Sequence, residues 1–139
     1  MPELMSEDAV RDIAGSMAEA RSLGHSVITA AHVLLSIADH ESPARDLLVS
    51  AGADHETVRR ALAARRPAEK GRRVRRLPWS PEMEKILHLS QSLTRKFFTS
   101  AHMLGLILDN DENCVALLSE CEVNTAELRA AVATAVRET

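Results

Sequence analysis

A chain of 139 residues with 45% hydrophobic but only 2% aromatic side chains has apolar content for one domain-sized core, which aliphatic side chains and alanine must fill. Its formal net charge of -3 names no class of partner by itself. No apolar run reaches the ~20 residues of a membrane span, and the acidic stretch from Met1 to Val10 has no signal-peptide core, so a cytoplasmic protein is expected. Abundant Ala, Leu, Glu and Arg with no Tyr favour helices over sheets.

Ser6 predicts an N-cap, with Glu7 and Asp8 in a first turn where acids are favoured. Met5 and Val10 suit a hydrophobic staple, and Val10, Ile13, Ala14, Met17 and Ala20 keep a helical period until Gly24 ends the run. A second helix is expected from about Ala30 to Ala38 behind Thr29. Ser42-Pro43 opens a third and Gly52 closes it. Asp54 caps a fourth, which carries Val58, Ala61 and Leu62. Residues 65–78 have poor apolar periodicity and contain Pro67, Gly71 and Pro78, which predicts an exposed linker. Trp79-Ser80-Pro81-Glu82 then starts a fifth helix with Met83, Ile86, Leu87 and Leu93 on its apolar side. Thr99 or Ser100 caps the sixth helix, Asn113 the seventh and Asn124 the eighth, which runs through Leu128, Val132 and Val136.

The chain repeats itself. Val27-Ile28-Thr29-Ala30-Ala31-His32-Val33-Leu34 aligns with Phe97-Phe98-Thr99-Ser100-Ala101-His102-Met103-Leu104 at an offset of 70. The same offset pairs Ile37 with Ile107, Asp39 with Asp109, Leu47-Leu48 with Leu117-Leu118 and Arg59 with Arg129. Upstream the offset is 74, pairing Ser6 with Ser80, Ile13 with Leu87, Ser16 with Ser90 and Arg21 with Arg95. A four-residue deletion in the second copy, opposite Leu23-Gly24-His25-Ser26, accounts for the change. One copy of about sixty residues buries little core. The expected fold is therefore all-α: a single eight-helix domain over residues 1–139, made of two pseudo-twofold-related four-helix repeats at 5–64 and 79–138.

The order and spacing of these features resemble the N-terminal repeat domain of Clp-family AAA+ unfoldases, as found on ClpC, ClpA and ClpB. Arg21-Ser22-Leu23-Gly24-His25 resembles the family's first turn, Ile28 to Leu35 its second-helix entrance, and Ala51-Gly52-Ala53-Asp54 its later cap, with Cys121-Glu122-Val123-Asn124 as the second-copy counterpart. The resemblance implies a non-catalytic module that binds protein substrates, adaptor proteins or Clp ATPase subunits, as a monomer in isolation. No Gly-x-x-x-x-Gly-Lys-Ser/Thr sequence is present, so the chain is not the motor. It is expected to be the N-terminal piece of a longer chain or a free-standing relative. The family's ligand sites map onto Thr29, Ala30, Ala31 and His32 and onto Thr99, Ser100, Ala101 and His102. In ClpC-like members a Thr-Glu at each entrance helps bind phosphorylated arginine. Here Ala30-Ala31 and Ser100-Ala101 stand at those positions, so that mode of binding is not expected.

Other residues support weaker readings. Seven basic residues and Glu69 between Arg65 and Arg76 give a local +6, leaving about -9 on the rest of the chain. Arg72, Arg73, Arg75 and Arg76 form a strap for an acidic protein surface, for the acidic body itself or, as the alternative function, for nucleic acid in a regulator. No aromatics interleave these arginines, which argues against nucleic acid. Trp79 is either a staple under the linker or an exposed anchor for a partner peptide. His32 and His102 pack at equivalent helix starts, while His25, His40, His55 and His88 stand at no metal-ligand spacing, so neither metal nor cofactor is expected. Asp109-Asn110-Asp111-Glu112 lacks the Gly and distal Glu of a calcium loop. Cys114 and Cys121, seven residues apart, read as two small buried hydrophobes. No catalytic grouping can be assembled from the spacing.

Overall fold

The structure is a computed structural model and describes residues 5–69, 76–93 and 98–138, without the side chain of Leu93. Arg72, Arg73, Arg75, Arg95 and Phe97 lie outside the described residues. The architecture is all-α, with α1 (Glu7–Ser22), α2 (Ala30–Asp39), α3 (Pro43–Ser50), α4 (His55–Arg65), α5 (Pro81–Leu93), α6 (Ser100–Asn110), α7 (Glu112–Glu120) and α8 (Thr125–Arg137).

Most helix starts follow from side-chain caps. Ser6, Ser42, Asp54, Thr99 and Asn124 each accept a hydrogen bond from the amide three residues on, which satisfies a donor that has no partner inside the helix. Gly24 and Gly52 adopt φ of +72° and +93° just past the ends of α1 and α3, a conformation that disfavours a side chain.

Three local expectations are corrected. Asp111, not Asn113, caps α7; its carboxylate accepts from the Cys114 amide at 2.9 Å while its own N–H still closes α6 onto the Ile107 carbonyl. One residue thus ends one helix and begins the next, which places Asn113 inside the first turn. No Met5–Val10 staple forms, because Val10 is 49% exposed and Met5 packs on the core beside Phe98. The buried side of α1 runs through Ala9, Asp12, Ser16 and Ala20, so Ala14 faces solvent. Most of the described linker residues are exposed, as expected, but Leu77 is buried against Ala20 and Ile28, and the Glu69 amide donates to the Gly24 carbonyl at 2.8 Å.

The two repeats meet by exchange of equivalent contacts. The Ser6 amide donates to the Phe98 carbonyl at 2.9 Å, and the Ser80 amide donates to the Ile28 carbonyl at 2.8 Å. Ser6 and Ser80 are repeat equivalents, as are Ile28 and Phe98, so the pairs interchange under a twofold. Helix contacts follow the same rule, with α3 packing on α8 and α4 on α7. A single apolar cluster joins Val33, Leu34, Leu48 and Val58 to Met103, Leu104, Leu118 and Leu128. Each such side chain, fully buried, stabilises the fold by roughly 1.5–3 kcal/mol relative to exposure.

Candidate protein-docking site

The α2 entrance is built around a fully buried histidine. The Thr29 amide donates to His32 Nδ1 at 2.9 Å, which leaves the ring proton on Nε2. That N–H points at His25 Nδ1, 2.9 Å away, and His25 Nε2–H in turn donates to the Arg66 carbonyl at 2.8 Å. Every ring nitrogen of the two histidines thus has a partner. Burial, with the neighbouring His25 and Arg66 adding to it, pushes the His32 pKa down to about 3. The relay fixes the first turn and the linker's start to the mouth of α2.

The α6 entrance begins the same way and ends differently. The Thr99 amide donates to His102 Nδ1 at 3.1 Å, and Thr99 Oγ1 accepts from the His102 amide at 3.4 Å. The second copy has no counterpart of His25, because that residue falls in the deletion. His102 Nε2 has no partner among the described residues, and the half-buried ring stacks on Phe98 at 5.7 Å. Burial holds its pKa below the usual imidazole range. Two acids of α1 occupy the mouth of α6: Asp8 accepts from the Ser100 amide at 3.4 Å, and Asp12 accepts from the Ser100 hydroxyl at 2.5 Å. Burial raises the Asp12 pKa, opposed by that hydroxyl and by Arg11 and His40.

A cleft of about 280 Å³ opens at the α2 entrance. The first repeat contributes Thr29, Ala31 and Leu62, the start of the linker Arg65 and Arg66, and the second repeat Ser80, Glu82, Asp111, Asn113, Cys114 and Leu117. Arg65 reaches Glu120 at 3.3 Å and the Asn113 carbonyl at 3.1 Å, and Arg66 pairs with Glu69 at 3.6 Å. A second, more apolar groove of about 440 Å³ lies along α6 and α8, lined by Phe98, His102, Gly105, Leu106, Val132 and Val136 among others.

Of the residues singled out from the sequence, Thr29 and Ala31 face the first cleft and His102 the second. The side chains of Ala30, His32 and Ser100 are completely buried and Ala101 nearly so, so they shape the entrances from beneath. Trp79 is half-buried, packed on the core beside Ile28. Arg76 is exposed. Cys114 is buried and Cys121 half-buried, both as free thiols, and burial raises both pKa values. The sequence alone did not single out His25, Asp8, Asp12, Glu82 or Asp111 as parts of these sites. The 74-residue offset that pairs Asp8 with Glu82 was the available signal.

Two helical repeats around one core, with a cleft at the α2 mouth and a groove along α6 and α8, define a duplicated all-α module. The model of the Clp repeat (R) N-terminal domain matches residues 4–98, and the chain belongs to that family, whose domains are non-catalytic protein-interaction modules of Clp ATPases. The structure resembles the N-terminal domain of the caseinolytic protease associated chaperone ClpD from Arabidopsis thaliana, with a TM-score of 0.75 and 22% identity over 97% of this chain and 96% of that one. It also resembles the Hsp104 N-terminal domain from Candida albicans, with a TM-score of 0.72 and 13% identity over 94% and 89%. No curated protein matches the sequence. Among the described residues no helix is long and apolar enough to cross a membrane.

Proposed function

We propose that this domain recruits protein substrates or adaptors to a Clp ATPase, or competes with one for them, and that the inter-repeat cleft at the α2 entrance is the docking site. The observation that carries this reading is the composition of the cleft in a chain of this family. Leu62 and Leu117 line the cleft together with Arg65, Arg66, Glu82 and the buried Asp111, a mixture suited to a peptide with both apolar and charged side chains.

Phosphoarginine is not its ligand by the family's mode. Ala31 and Ala101 offer no carboxylate to a guanidinium, and each charge-assisted hydrogen bond lost is worth ~1.5–3 kcal/mol. At the α6 mouth a phosphate would also have to displace Asp8 from the Ser100 amide, against the charge of Asp12 beside it. Titrating submillimolar phosphoarginine into labelled protein is expected to leave the Ala31 and Ala101 amide resonances in place; saturable shifts at both would contradict this.

Recruitment itself is tested by capture from lysate with and without nuclease. Clp ATPase subunits or unstable proteins that stay bound after digestion support the reading. Loss of every partner on digestion favours the alternative, a nucleic-acid-associated regulator using the Arg65–Arg76 strap.

A further inference from the structure

Three helices of the first repeat bring an imidazole and two carboxylates together at the ends of α2 and α4 opposite those that line the docking cleft. Glu19 comes from α1, Asp39 is the last residue of α2 and His55 is the first of α4. His55 Nε2 lies 2.8 Å from Glu19 Oε1, and one ligand atom from each of the three residues lies within 4.8 Å of the others. Glu19 and His55 are largely buried, at 12% and 28% exposed, and Asp39 opens to solvent.

The second repeat shows what this corner looks like without the cluster. The matching positions there are Leu93, Asp109 and Thr125. Asp109 is neutralised by Arg129 at 3.2 Å, whose other nitrogen donates to the Leu108 carbonyl. The counterpart of Arg129 is Arg59, and it turns away to Ser22 at 3.1 Å. Asp39 therefore lacks the cation its equivalent has and instead faces Glu19 and His55. Two carboxylates gather beside one imidazole that hydrogen-bonds only Glu19, an arrangement that a dication would neutralise.

We propose that Glu19, Asp39 and His55 form a binding site for a late first-row divalent metal ion such as Zn²⁺, with water completing the shell on the Asp39 side. One imidazole nitrogen with two carboxylates suits such ions; Mg²⁺ and Ca²⁺ prefer all-oxygen sets. Bonds of ~2.0–2.2 Å require the three donors to draw in only modestly, by side-chain rotation of Glu19 and Asp39. Binding displaces the proton from His55 Nε2, and the metal takes the place of the Glu19–His55 hydrogen bond. Occupancy cross-links α1, α2 and α4. The site is absent from the second repeat and does not depend on the recruiting role.

Titration calorimetry of the full chain with Zn²⁺ alone tests this, with thermal unfolding read in parallel. The wild type is expected to bind one equivalent saturably and to unfold at a higher temperature with metal. Loss of a direct ligand should weaken affinity by more than the 10–100-fold typical of losing an outer partner, so D39N and H55Q should each lose about 100-fold or more. D39N alters an exposed side chain, and its helical circular dichroism should match the wild type. C121S controls for the half-buried thiol and should bind as the wild type does. Absence of one-to-one binding, full affinity in both D39N and H55Q, or loss of binding in C121S would each overturn the proposal.

Discussion

Burying a histidine at a helix mouth requires a partner for each ring nitrogen, and His32 has the Thr29 amide on one side and His25 on the other. Folded His32 takes a proton only near pH 3, whereas its ordinary value is 6.5. Between those values the unfolded chain binds more protons, so the His32 contribution is complete above pH 6.5 and is lost as pH falls, by up to ~1.4 kcal/mol per unit. His102 acts in the same direction. Asp12, with its pKa raised above 3.8, acts oppositely, contributing stability that is lost as pH rises above that value. Urea unfolding at pH 7 and pH 5 should show a clear loss on acidification, and equal midpoints would contradict the buried neutral relay. His32→Ala should cost ~2–4 kcal/mol at pH 7, since it opens a cavity and leaves the Thr29 amide and His25 unpaired, and it should flatten the acid limb. The Thr-x-x-His pairs at 29–32 and 99–102 were legible because they recur at a fixed offset. The role of His25 was not, since it depends on how the turn folds back, and neither was Asp12, an acid on what reads as an outer position of α1.

Helix ends were largely legible because caps and glycines are local chemistry. Ser6, Ser42, Asp54 and Asn124 cap the helices they precede, and Gly24 and Gly52 end theirs. Local chemistry was ambiguous where Asp109, Asp111 and Asn113 crowd one turn, and packing alone decides that Asp111 serves both helices. The two glycines differ in a way only the fold reveals. A Cβ on Gly24 would approach the Ala68 Cβ to 2.8 Å, whereas one on Gly52 meets nothing within 4 Å. Gly52→Ala should therefore cost only the left-handed backbone penalty of ~1–2 kcal/mol. Gly24→Ala should cost more, since it also pushes the linker off the first turn and disturbs the His25–Arg66 contact. Equal losses in chemical denaturation would mean that the linker's docking on Gly24 contributes nothing.

At the scale of the molecule, duplication explains both the fold and the asymmetry of its sites. The repeat offsets made the eight-helix plan legible, while the differences between entrances arise from four deleted residues and from Asp12, whose counterpart is Ile86, joining Asp8 at the mouth of α6. Residues of both repeats line the α2-entrance cleft, so that cleft exists only while the halves stay docked. The exchanged contacts of Ser6 with Phe98 and Ser80 with Ile28, and the apolar cluster crossing the dyad, imply that the halves unfold together.

Trp79, the only tryptophan, packs at the junction beside Ile28 and reports directly on that docking. Denaturant unfolding followed at once by Trp79 fluorescence and by helical circular dichroism is expected to give superimposable single transitions. A fluorescence change that runs ahead of the loss of helix would show halves that separate before they unfold, and would remove the shared core on which the docking cleft rests.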